Sequence, residues 1–149
     1  MSRFHRPSRP LPALLIAAAL LWPPGARAQL PEWNQERVAS LAGQLVQAIG
    51  ALLADPALEA RQDTAMQQRE HEAAISSARE LERLAVAYQE RVAGDYDRED
   101  SRPFWDQMAT LRGDIRSYAR HSWLPSATRE KAERVNGVFD QLARYYSDV

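Results

Sequence analysis

Residues 57–92, ALEARQDTAMQQREHEAAISSARELERLAVAYQERV, contain neither Pro nor Gly. Ala, Gln, Glu, Arg and Leu dominate, and these residues lose little side-chain freedom in a helix. Read at alternating four- and three-residue steps, the stretch lines up Ala60, Thr64, Gln67, His71, Ala74, Ala78, Leu81, Ala85, Tyr88 and Val92. The spacing predicts one long helix over about 57–93, with a seam that is small and polar in its first half and apolar in its second. The face around Gln62, Gln67, Gln68, Arg69, Glu70 and Glu72 would be costly in a dry core. The two halves are therefore expected to do different things.

Upstream, Asn34 is a suitable N-cap for a first helix over about 34–53. Val38, Leu41, Ala42, Leu45, Val46, Ile49, Leu52 and Leu53 form its apolar stripe. Asp55-Pro56 then marks a tight turn. Downstream, Gly94 ends the long helix, and a polar loop leads to Asp100 or Ser101 as the next cap. A third helix is expected over about 103–121, with Phe104, Met108, Leu111, Ile115 and Tyr118 inside and Trp105 on its flank. A fourth, over about 127–147, carries Ala132, Val135, Phe139, Leu142 and Tyr146. The fold class is all-α: an antiparallel up-and-down bundle of four helices with one long second helix.

That architecture raises a problem of length. An unbroken helix over 57–92 would span roughly 54 Å against roughly 30 Å for its neighbours. The first helix would then lie beside the small, polar half of the long one, leaving Val38, Leu45 and Leu52 partly uncovered as a surface for a partner protein or a second copy. The competing arrangement breaks the chain within 57–70 and closes a compact bundle. With no Pro or Gly present to cause a break, the unbroken helix is the expectation.

The first 28 residues read as a secretory leader. Arg3, Arg6 and Arg9 precede an apolar run from Leu11 to Trp22, and Ala26-Arg27-Ala28 is a small-x-small cleavage signal. The run is too short to span a bilayer. The expected product is one helical domain over 29–149, periplasmic or secreted, without a membrane span. Removing the four leader arginines from 19 basic residues leaves 15 against 20 acids, a balance that argues against nucleic acid as a partner. The absence of Cys rules out disulfides, thiol catalysis, covalent haem attachment and Cys-bound zinc.

Two histidines follow the leader, His71 and His121. Counting back from the helix turns brings both towards one end of the bundle with Glu36 and Glu130, a donor set suited to zinc, copper or nickel, or to a haem held between the two imidazoles. The competing reading makes His71 a hydrogen-bonded seam residue and His121 a cap for helix carbonyls. Asp95, Asp97 and Glu99 imitate the opening of a calcium loop, but Asp100 stands where the loop needs Gly. Arg112, Arg116 and Arg120 form a row at four-residue steps that could grip an acidic partner. Ser101, Ser122 and Ser126 lie in no nucleophile-elbow or glycine-rich context. The expected function is that of an exported, non-catalytic protein–protein interaction or binding module without a cofactor, with metal or haem binding through His71 and His121 as the alternative.

Overall fold

The computed structural model describes residues 30–60, 62–121 and 124–147, except for the side chain of His121. The expected leader lies outside the described residues. Four α-helices and no strand occur among the described residues: α1 Gln35–Leu53, α2 Ala65–Val92, α3 Arg98–His121 and α4 Ser126–Ala143. None of these helices is long and apolar enough to cross a membrane.

The first helix starts as expected, with Asn34 Oδ1 accepting from the Arg37 N–H at 2.8 Å. The second does not. Asp55 caps a short 3-10 turn, Pro56–Glu59, Ala60 is extended, and Asp63 and Thr64 lie in a bend. Thr64 and Gln67 form a reciprocal capping box: Thr64 Oγ1 accepts from the Gln67 N–H and Gln67 Oε1 from the Thr64 N–H, both at 3.2 Å. The expected unbroken helix from 57 is thus wrong, and the break needs neither Pro nor Gly inside it. Side chains supply it, because a capping box satisfies two of the N–H groups that every helix start leaves unpaired. Shortened to 28 residues, α2 spans about 42 Å, near the roughly 36 Å of the 24-residue α3.

The third helix begins earlier than expected, at Arg98 rather than near 103. Its cap is neither Asp100 nor Ser101. Asp97 Oδ1 accepts from the N–H groups of Glu99 and Asp100 at 2.8 and 3.0 Å. Pro103 therefore lies inside the helix, in its second turn.

Helix α2 packs against α1 and α3, and α1 also packs against α4. The pairings run in opposite chain order. Gln35 Nε2 donates to the carbonyls of Val92 and Gly94, at 3.0 Å for the latter, while a Cβ at Gly50 would lie 3.4 Å from Glu82 Oε1. Lys131 near the start of α4 meets Asp55 after α1, and Tyr146 beyond α4 meets Ser101 near the start of α3.

One core results. Val38, Leu41, Leu45 and Ile49 of α1 close on Leu81, Ala85, Tyr88 and Val92 of α2, Met108 of α3, and Val135, Phe139 and Leu142 of α4. Each large aliphatic side chain buried here contributes about 1.5–3 kcal/mol. Trp105 is buried, not flanking: its ring stacks on Tyr146 at 4.9 Å and tilts against Phe139 at 4.6 Å. Tyr88 and Tyr146 share a hydrogen bond at 2.8 Å, Tyr146 bonds Ser101 Oγ at 2.7 Å, and Ser101 donates to the Asp97 carbonyl at 2.6 Å. Since that carbonyl can only accept, the series runs one way, each hydroxyl donating to the next, and none of these three O–H groups is left without an acceptor.

Candidate functional site

The aromatic end of the bundle is closed; the opposite end is not. Between Glu70 and Ala78 the inner side of α2 offers Ala74, Ser77 and Ala78 in place of large apolar residues, so α3 meets it across a gap. The result is a groove of about 580 Å3 lined by Glu70, Ala73, Ala74 and Ser77 from α2 and by Asp114, Ser117 and Tyr118 from α3.

Tyr118 forms one wall of this groove, and its hydroxyl lies 2.8 Å from His71 Nδ1. The other imidazole nitrogen, Nε2, lies 2.7 Å from the Leu58 carbonyl oxygen. A carbonyl only accepts, so Nε2 carries the proton, and in the neutral ring Nδ1 accepts from the Tyr118 O–H. His71 is buried and ties three parts of the chain together: the 3-10 turn, α2 and α3.

Behind Tyr118 is a small apolar chamber of about 60 Å3. Leu52, Leu58, Ile75, Ile115 and Leu124 supply its bulk, while Ala74, Ala78, Ala119 and Ala132 leave it unfilled. Thr128 also lines it and is fully buried, with no hydrogen-bond partner for its Oγ1. That hydroxyl is near enough to Asp55 to favour its ionised form, without the geometry of a full hydrogen bond. The Asp55 carboxyl is held below the usual range first by the Ala57 N–H and then by Lys131, whose Nζ lies 3.0 Å away. A third recess, of about 330 Å3, opens on the other side of His71 between Leu58, Gln68, Glu72, Ile75 and Arg79.

The residues singled out from the sequence fall in different places. His71 reaches this end of the bundle, and Glu130 is exposed on α4 between Thr128 of the chamber and Lys131. Glu36 does not reach it; it adjoins Gln35, whose side chain bonds the carbonyls that close the far end of α2. Counting from a helix start at 57 misplaced Glu36, because α2 begins eight residues later. The side chain of His121 lies outside the described residues. Among the described residues no three His, Asp or Glu side chains converge as a metal site, and the described chamber is far below the roughly 300 Å3 at which pockets for drug-sized ligands begin.

The apolar surface expected on α1 is also corrected. Val38 and Leu45 have 0% exposure and are core residues, with Leu52 at the chamber wall. Covering the stripe needed both α4 and the apolar half of α2, which the late start of α2 brings alongside. In the arginine row, Arg112 is a clamp between α3 and α4. Its Nε donates to Asn136 Oδ1 at 2.9 Å, its Nη2 pairs with Asp140 at 2.7 Å, and its guanidinium covers the Phe139 ring at 4.7 Å. Arg116 and Arg120 remain exposed, with Arg120 Nε donating to the Arg116 carbonyl.

The sequence reading missed the groove. Its signal was present as the small residues Ala73, Ala74 and Ser77 of α2, of which only Ala74 lies on the seam. No protein family, curated protein or solved structure matches the chain.

Proposed function

We propose that this chain is an exported, non-catalytic binding module that takes a small ligand into the groove between α2 and α3. In this reading residues 1–28 are a leader cleaved on export, the product is periplasmic or secreted, and the helices form an antiparallel up-and-down bundle. The leader pattern supports export. The reversed pairings of Gln35 with Val92 and of Ser101 with Tyr146 support the topology.

The observation that carries the proposal is the groove itself. Its volume of about 580 Å3 falls within the range of small-molecule sites, roughly 300–1,000 Å3, and its lining sets Ala73, Ala74 and the Tyr118 ring beside the polar Glu70, Ser77, Asp114 and Ser117. A protein-docking face is the weaker reading. Stable interfaces use large apolar or aromatic anchors, and the large hydrophobic side chains exposed among the described residues are Met66, at 71%, and Val86, at 37%. The non-catalytic reading rests on how the reactive groups are engaged: both ring nitrogens of His71 and the hydroxyl of Ser101 are committed to bonds that hold the fold.

A screen of small-molecule mixtures against the isotopically labelled mature chain tests this reading. Shifts concentrated at Glu70, Ser77, Asp114 and Tyr118, lost in Ser77→Trp, are expected. Binders that perturb only other faces, or a stable dimer with no groove response, would overturn it.

A further inference from the structure

The groove and the apolar chamber share two lining residues, Ala74 and Tyr118. The Tyr118 side chain therefore adjoins both a polar-rimmed space and an apolar one, and its hydroxyl bonds His71. On the open side both charged lining residues among those described are acidic, Glu70 on α2 and Asp114 on α3. Neither carboxylate has an ion-pair or hydrogen-bond partner among the described residues, and both are exposed. Ser77 adds a hydroxyl to the same rim. On the apolar side the chamber holds about 60 Å3, several times the roughly 10–15 Å3 that one water-sized group needs.

From this pairing of acid rim and apolar chamber we infer that the site takes a small amphiphilic primary amine: an ammonium held between Glu70 and Asp114, and a short apolar end seated behind Tyr118. The inference rests on the groove being the binding site. Charge decides the head group, since a carboxylate ligand would meet two like charges and a neutral alcohol would gain nothing from them. Space decides the tail. An ethyl-sized end fits the chamber, and its transfer from water is favourable because the surface that the chamber exposes is apolar, the Thr128 hydroxyl being buried in its wall.

The test compares n-pentylamine, 1-pentanol and pentanoate, equal in chain length, by chemical-shift titration of the mature chain. The amine is expected to perturb Glu70, Asp114 and Tyr118 and to bind about tenfold more tightly than the alcohol, as two partly exposed charge pairs allow. Pentanoate should bind most weakly. The double variant Glu70→Gln, Asp114→Asn, both at exposed positions, should bring amine and alcohol to within about twofold at unchanged helix content. Ala78→Leu, which fills the chamber, should remove the preference for pentylamine over methylamine. Equal groove binding of all three probes would overturn the amine inference and leave the groove as a site. So would a library ligand in the groove alongside silence from these probes. A groove that answers to nothing would end both proposals.

Discussion

His71 Nε2 lies 2.7 Å from the carbonyl oxygen of Leu58, and that bond fastens the 3-10 turn to the second helix. Its partner on the other nitrogen, the Tyr118 hydroxyl, fastens the same ring to the third helix. Replacing His71 with Ala would remove one hydrogen bond from the Leu58 carbonyl and one from the Tyr118 hydroxyl, both half-buried. A loss of about 1–3 kcal/mol follows from two such bonds. Urea unfolding followed by circular dichroism measures it, with native helix content expected to survive because the aromatic end of the bundle is untouched.

Tyr88 and Tyr146 are held in their neutral forms, with pKa values raised above the ordinary phenol value; burial is the main cause for both. A raised folded-state value means that this contribution to stability is complete below the unfolded phenol pKa, about 10. It is lost as pH rises beyond that point, because the unfolded chain releases protons that the folded one keeps. The wild-type chain should therefore unfold steeply in alkali, with tyrosinate absorbance appearing at the same pH as loss of ellipticity. Tyr88→Phe should cost about 1 kcal/mol at neutral pH and flatten the alkaline limb.

The Asp55 carboxyl behaves in the opposite sense. Its pKa is lowered by the Ala57 N–H and by Lys131, so its contribution is present above the unfolded carboxylate value, near 4, and falls away as pH drops through the folded value. Asp55→Asn should leave the chain less stable at neutral pH but less sensitive to acid than wild type. Thermal melts from pH 7 down to pH 2 would show the two curves converging.

Leu45 is a core residue and not part of a docking surface. Leu45→Ala should cost about 2–5 kcal/mol, the usual range for deleting a buried leucine side chain. Met66→Ala, at an exposed position, should change stability by less than about 0.5 kcal/mol. Were Leu45→Ala to leave the denaturation midpoint unmoved, the assignment of α1 to the core would fail.

Within the arginine row, only Arg112 should matter for folding. Arg112→Ala removes a hydrogen bond, an ion pair and a ring contact between α3 and α4, for about 1–2 kcal/mol. Arg116→Ala and Arg120→Ala should each stay within about 0.5 kcal/mol of wild type in the same denaturation series.

Much of this molecule was legible from local pattern. The Asn34 cap, the α1 stripe and the seam through His71, Ala78, Leu81, Ala85, Tyr88 and Val92 all follow from helical spacing, because side chains three and four apart share a face whatever lies opposite. The start of α2 was also written locally, as Thr64-x-x-Gln67, but that signal competes with seven preceding residues, 57–63, of ordinary helix propensity and is easily overruled by them.

The sequence by itself determined that the chain makes helices, which face of each is apolar, and that no disulfide or thiol chemistry is involved. Only the tertiary structure decided how far each helix slides along the next. That offset cannot be read from one strand of sequence, since a shift of two turns preserves every apolar stripe while changing every partner. Here it buried Val38 and Leu45, sent Glu36 to the far end of the bundle, and set Glu70 and Asp114 on either side of an open groove. The same offset turned the alanines of three helices into a chamber, because space in a protein belongs to the residues that fail to meet across it.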